Sequence, residues 1–228
     1  MKSIVAGNLK KRYGSTCVLD GVSFELKEGK VYGLMGKNGV GKTTVIKILC
    51  GLIDADEGEV TRNTLQVGAL IEEPAAYCNL TAKENLRIFM NCIGKYDDKK
   101  IAEILRLVGL CDDKKKFKHY SLGMKKRLGI AIALLNNPDF LVLDEPSCGL
   151  DIDGIIETRN IIREFMRPGD KITLISSHDT RDLVELCDEI MIMHEGRLVL
   201  KLEQFEKDSL KLEKIYLETI REKQSERN

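Results

Sequence analysis

The sequence predicts an α/β fold: a core with a parallel sheet, an N-terminal antiparallel β subdomain, and a helical subdomain inserted into the core. Three observations predict it. Short apolar runs punctuated by turn residues fill the chain ahead of Lys30. Helical periodicity without an intervening strand extends from Thr81 to about Leu135. After Pro138 apolar strands alternate with amphipathic helices, the pattern of parallel strands joined by crossovers.

Ile4 to Leu9, Cys17 to Leu19 and Val22 to Leu26 are strand-like, and Asp20-Gly21 and Glu28-Gly29 have the form of hairpin turns. Lys30 to Met35 is a short apolar strand, and Val45 to Leu49 has helix character. Val67 to Ile71 reads as a further strand. Thr81-Ala82-Lys83-Glu84 is a capping box, with Leu86, Phe89, Met90 and Ile93 following at helical spacing. A second helix covers Asp97 to Leu107, and a third runs from Ser121 towards Leu135. Phe140 to Leu143 is a strand, Ile152 to Met166 a helix, Ile172 to Ser176 a strand and Thr180 to Cys187 a helix. Glu189 to Met193 and Arg197 to Lys201 follow as strands, and parallel pairing is expected throughout this half. Leu210 to Arg221 is amphipathic, with Leu212, Ile215, Tyr216 and Thr219 on one stripe and Lys and Glu opposite. The expected organisation is one domain over 1–205, with the helical subdomain at about 81–135, and a charged amphipathic helix or tail over 206–228.

Composition narrows the function. The chain has 228 residues, and Lys+Arg and Asp+Glu both number 36, so no overall basic charge favours nucleic acid. No apolar stretch approaches the roughly 18 residues that span a bilayer, and no apolar signal core follows Lys2. A cytoplasmic protein is expected. The seven cysteines are scattered and form no C-x-x-C pair, so reduced and mostly buried thiols are expected rather than disulfides or zinc.

The sharpest motif is Gly36-Lys37-Asn38-Gly39-Val40-Gly41-Lys42-Thr43-Thr44, which satisfies G-x-x-x-x-G-K-[ST] between a strand and a helix. Glycines let backbone N–H groups turn inward around an anion, and the new helix aims its positive end at the same point. Lys42 is placed to reach the β- and γ-phosphates of a nucleoside triphosphate, and the Thr43 hydroxyl to bind Mg²⁺. The core is therefore of P-loop NTPase type. Phe140 to Leu143 runs without interruption into Asp144-Glu145, as a strand buried on both faces does in a parallel sheet. Ligands bind beyond the C-terminal ends of such strands. Asp144 is placed to hold Mg²⁺ through a water, and Glu145 to act as general base towards an attacking water.

With Tyr120-Ser121-Leu122-Gly123-Met124-Lys125-Lys126-Arg127 ahead of the acids, the chain resembles the nucleotide-binding subunit of an ABC transporter. Ser147-Cys148-Gly149-Leu150-Asp151 matches the family's D-loop and Ser176-Ser177-His178-Asp179 its switch histidine. The resemblance implies that Tyr13 stacks on adenine and that His178 contacts the γ-phosphate. It implies that Ser121 and Gly123, at a helix N-terminus, face the γ-phosphate held by a second copy in a head-to-tail dimer. It also implies an integral membrane permease as partner, with this subunit on the cytoplasmic face of the membrane. Two departures stand out. Leu122 and Met124-Lys125 replace part of the usual signature, and Glu72 replaces a glutamine that in the family meets Mg²⁺ and the attacking water. Gly68 to Glu72 together with Asn79 to Leu86 is similar to the branch that protects bacteria against bacitracin and lantibiotic peptides. The resemblance thus implies an ATPase, with ATP and Mg²⁺, that drives peptide export. The alternative is a soluble ABC-type ATPase acting on nucleic acid or ribosomes, against which chain length and balanced charge both weigh. A small-molecule kinase or GTPase would leave Ser121–Arg127 and His178 unexplained.

Overall fold

The computed structural model describes residues 2–62, 65–94 and 96–225. Among the described residues nine strands and seven α-helices follow one another: β1 (Ser3–Tyr13), β2 (Thr16–Lys27), β3 (Lys30–Met35), α1 (Lys42–Leu49), β4 (Glu57–Arg62), β5 (Val67–Leu70), α2 (Ala82–Cys92), α3 (Asp98–Leu107), α4 (Leu122–Leu134), β6 (Phe140–Asp144), α5 (Ile152–Met166), β7 (Ile172–Ser177), α6 (Thr180–Leu186), β8 (Glu189–His194), β9 (Arg197–Leu202) and α7 (Ser209–Ser225). They build a three-stranded antiparallel sheet, β2-β1-β4, and a six-stranded sheet in the order β5-β6-β7-β3-β8-β9.

Period-two alternation explains how the layers meet. Along β6, Phe140 and Val142 join Tyr32, Leu34, Leu174 and Met191 against α1 and the inner face of the small sheet. Leu141 and Leu143 point the other way, with Val31, Ile190 and Ile192, into a second cluster filled by α2 to α6. Both faces are covered, so these strands are apolar without a break. The buried residues of α4 lie on more than one face, including Leu128, Ile130, Ala131 and Leu134. It lies close on β5 because residue 68 is glycine: a Cβ there would stand 2.0 Å from the Ala133 carbonyl oxygen.

Capping is as expected in α2, where Thr81 Oγ1 accepts the Glu84 N–H at 3.2 Å and Glu84 Oε2 accepts the Thr81 N–H at 2.8 Å. Asp97 caps α3 and Ser121 caps α4. The C-terminal helix α7 buries Leu212 and Ile220, with Ile215 and Tyr216 partly buried beside them. Of the tail expected over 206–228, residues 226–228 lie outside the described residues.

Four expectations need correction. Asp20-Gly21 is no hairpin turn but lies within β2, where Gly21 at φ 79° accompanies a register shift against β1; the turn proper is at Gly14-Ser15. Glu28-Gly29 is a turn, but it joins strands of different sheets. Pairing in the second half is not parallel throughout. β9 runs antiparallel to β8 through Glu195-Gly196, both at positive φ, a two-residue loop far too short for a crossover. The cysteines are free but mostly not buried: Cys17, Cys78, Cys92, Cys111 and Cys148 are exposed, Cys50 is half-buried, and Cys187 is buried. Strand β4 had no sequence signal. Among the described residues no helix is long and apolar enough to cross a membrane.

Candidate active site

Register places the chemistry. Strands β6, β7 and β3 are neighbours, with Asp144 opposite Ser176 and Ser176 opposite Leu34. Their C-terminal ends therefore come level, and the three segments that leave them converge on one point. These are Gly36–Gly41, Glu145 and His178.

The phosphate loop turns through Gly39 at φ 82° and Gly41 at φ 105°, conformations that side chains with a Cβ rarely adopt. Gly41 begins α1 without a side-chain cap, so the first N–H groups of the helix are left for an anion. Lys42 is only 6% exposed. Its ammonium donates to the Gly36 carbonyl at 2.7 Å and to the Lys37 carbonyl at 3.3 Å, and pairs with Glu145 Oε1 at 3.3 Å. Thr43 Oγ1 donates to Asp144 Oδ2 at 2.7 Å. The other oxygen of Asp144 accepts from the Ser176 hydroxyl.

Glu145 has φ 49°, a left-handed conformation for a residue with a Cβ. Its N–H donates to Ser176 Oγ at 2.9 Å and to the Ser176 carbonyl at 3.2 Å, and its Oε2 meets His178 Nδ1 at 2.7 Å. The carboxylate therefore lies between a lysine ammonium and an imidazole.

A cavity of about 380 Å³ is lined by Tyr13, Val18, Asn38, Gly39, Gly41, Lys42, Thr43, Thr44, Asp144 and Glu145. Tyr13, at the end of β1, is 51% exposed, with the Lys11 ammonium 5.9 Å from its ring centroid, and its exposed ring area suits stacking on a planar group. Lys37, Val40 and Gly36 complete the loop around it. A second, wider cleft of about 640 Å³ opens beside the first, between the loop, His178 to Arg181 and α7. The hydroxyl–carboxylate pair Thr43–Asp144 is a hard oxygen donor set at the inner end of a phosphate cradle, which suits Mg²⁺ held by few protein ligands.

Other expected residues are placed elsewhere. Ser121 and Gly123 do not line either cavity; Ser121 is exposed and accepts the Met124 N–H at 3.3 Å. Leu122 between them abuts Gly149, so the start of α4 and the 147–151 loop form one surface. Glu72 was expected to face the metal with Thr43 and Asp144. Instead its carboxylate pairs with Lys47 on α1 at 3.0 Å, is 62% exposed, and does not line the phosphate-loop cavity. Its φ of 59° is left-handed, unusual for a residue with a Cβ. Ser176 carried no role in the sequence reading. Its contacts with Asp144 and Glu145 depend on the β6–β7 register, which no local pattern reveals.

The family model for ABC transporters matches residues 19–148. The chain is 42% identical over 205 residues to the lantibiotic transport ATP-binding protein SrtF of Streptococcus pyogenes, spanning 86% of this chain and 89% of that protein. It is 41% identical over 216 residues to the bacitracin transport ATP-binding protein BcrA of Bacillus licheniformis, spanning 90% of this chain and 70% of that protein. The solved structure of an ATP-binding subunit of an ABC transporter superposes with a TM-score of 0.82 at 27% identity, over 95% of this chain and 99% of the other. Likeness of this extent, over the segments that form the phosphate loop and the acidic strand end, makes the assignment plain: the chain belongs to the ABC transporter family, as an ATP-binding and ATP-hydrolysing subunit.

Proposed function

We propose that this subunit powers a membrane permease that exports antimicrobial peptides, and that Glu145 is the base of its hydrolytic step. The observation that carries the catalytic reading is the convergence of Lys42, Thr43, Asp144 and Glu145 beyond three adjacent strand ends. ATP lies along the loop with its base on Tyr13 and its phosphates over Gly39 to Thr44. Lys42 exchanges its contact with Glu145 for the β- and γ-phosphates. Thr43 and Asp144 would hold Mg²⁺, which would supply charge neutralisation at the phosphates. Freed from Lys42, Glu145 takes a proton from the water that attacks the γ-phosphorus, as the bond to the bridging oxygen breaks and ADP leaves. His178 orients that carboxylate and water.

Two copies are needed, because the Ser121 end of α4 has no phosphate partner within its own chain. The permease docks near Glu72 to Leu80, which fixes the subunit at the cytoplasmic face of the membrane. The peptide substrate is supported by the names of the two relatives, one a lantibiotic and one a bacitracin transport protein. The test is co-expression with a candidate permease in a sensitive host. Protection against bacitracin or a lantibiotic that vanishes in Glu145→Gln, with ATP binding retained, supports the reading. Hydrolysis that DNA or RNA stimulates and the permease leaves unchanged would replace it with the nucleic-acid alternative.

A further inference from the structure

Glu145 is held at φ 49°, a left-handed conformation that strains a residue with a Cβ, while its carboxylate points at the phosphate loop. Its N–H is fixed by Ser176 on both sides. Its carbonyl accepts the Cys148 N–H at 3.2 Å, closing a turn over Pro146-Ser147. The same carbonyl accepts a second donor from a different element: Lys126 Nζ, at 2.5 Å.

Lys126 lies in the interior of α4 and is only 7% exposed. A lysine so buried normally faces a carboxylate, yet among the described residues this one forms no ion pair within 4 Å. Burial pushes its ammonium pKa down, and the nearby Cys148, Glu145, Asp144 and Glu73 act in the opposite direction. Of the three N–H donors of its ammonium, one is directed at a main-chain oxygen, that of Glu145.

We propose that Lys126 is a positioning residue for Glu145: its hydrogen bond to the Glu145 carbonyl fixes the backbone from which the carboxylate reaches its water. The role rests on the reading of Glu145 as base. It also ties α4, whose first residues carry Ser121, to the reacting carboxylate. A lysine that merely filled space would be replaceable by methionine, which has similar length and no donor.

The experiment compares kcat and KM for ATP, melting temperature and binding of a fluorescent ATP analogue in wild type, Lys126→Met, Lys126→Gln and Glu145→Gln. Lys126→Met is expected to lose about 10- to 100-fold in kcat with KM and analogue binding within about threefold of wild type. Lys126→Gln, which keeps an N–H donor on a side chain one bond shorter, is expected to recover above Lys126→Met, to within about threefold of wild-type kcat. Wild-type kcat in Lys126→Met, equal losses in the Met and Gln variants, or a loss confined to KM overturns the role. Should Lys126→Met fail to fold, Lys126→Ala assayed with added propylamine decides: amine-dependent recovery of kcat supports the role and no recovery overturns it. An inactive Glu145→Gln beside a fully active Lys126→Met sinks the positioning role alone. A fully active Glu145→Gln sinks the base assignment and this role with it.

Discussion

Lys42 and Glu145 form an ion pair 3.3 Å apart at the floor of the phosphate cavity. The two groups proposed to act on the nucleotide thus hold each other. Binding must exchange this contact for phosphate oxygens; because desolvation offsets most of the attraction between two largely buried charges, the pair works against affinity by a net of about 0.5–1 kcal/mol. Glu145→Gln is therefore expected to bind ATP about two- to fivefold more tightly while losing turnover. Equilibrium titration with a non-hydrolysable analogue measures it. Weaker binding in Glu145→Gln would mean that the pair does not have to open.

Ser121 lines neither the phosphate-loop cavity nor the cleft beside it, as the proposed two-copy site requires. Lys42→Ala and Ser121→Arg chains are each expected to be inactive alone. Mixed together they regain activity, since one of the two composite sites in a mixed dimer is intact. Specific activity that neither mixing nor dilution changes would place the whole site in one subunit.

Glu72 gives its carboxylate to Lys47, both partly or largely exposed. An exposed pair of this kind contributes about 0–1 kcal/mol. The Mg²⁺ dependence of hydrolysis in Glu72→Gln is accordingly expected to overlay that of wild type, and urea unfolding to shift by less than about 1 kcal/mol. A clear change in the Mg²⁺ midpoint would show that the carboxylate swings to the metal when nucleotide binds.

Asn85 is completely buried at the start of α2. Its Oδ1 accepts the Tyr77 N–H at 2.7 Å, and its Nδ2 donates to the Thr81 carbonyl at 2.9 Å. It pins the loop proposed to meet the permease. Asn85→Ala leaves the Tyr77 N–H without that acceptor and is expected to destabilise by about 1–3 kcal/mol, read by urea unfolding. ATP binding should change little. A stability loss below about 0.5 kcal/mol would mean that water replaces the amide.

Asp139 carries a pH dependence. A hydrogen bond from Lys2, with Nζ 2.7 Å from Oδ1, and the Gln66 N–H hold its carboxyl below the ordinary carboxylate range. A folded-state pKa depressed in this way adds stability above the unfolded value near 3.9, which is lost as pH falls through the folded value. Lys2→Met is expected to flatten the fall in stability below about pH 4, with little effect on thermal unfolding at pH 2. Parallel acid titrations of the two proteins would rule the pair out as a contributor.

Legibility in the sequence followed the range of the interaction. The loop from Gly36 to Thr44, the Thr81 capping box and the apolar run into Asp144 are local patterns, and each lies where it was expected. Strand β4, Glu57 to Arg62, lies at a sheet edge and has Val60 as its one apolar side chain against the core, so it has no alternation to read. Asp20-Gly21 carries the residues of a turn, and only pairing with β1 makes it a bulge. Ser176 and Lys126 act through Asp144 and Glu145, contacts set by strand register and helix placement. Glu72 could be located along the chain, but its partner Lys47 stands on another element.

Cys187 has a consequence for following the whole molecule. It is fully buried behind β3, where a Cβ on Gly33 would stand 3.0 Å from its sulfur, and burial pushes its thiol pKa up. Cys50, half-buried, is pushed up to about 11. The five exposed thiols react with a thiol reagent at once, whereas Cys187 reacts only in molecules that have opened the core. Its slow labelling is therefore a clock for global opening. Because nucleotide binds only the closed form, ATP at a hundred times its dissociation constant should slow that clock about a hundredfold, so occupancy of the phosphate loop can be read from a sulfur on the other side of the sheet.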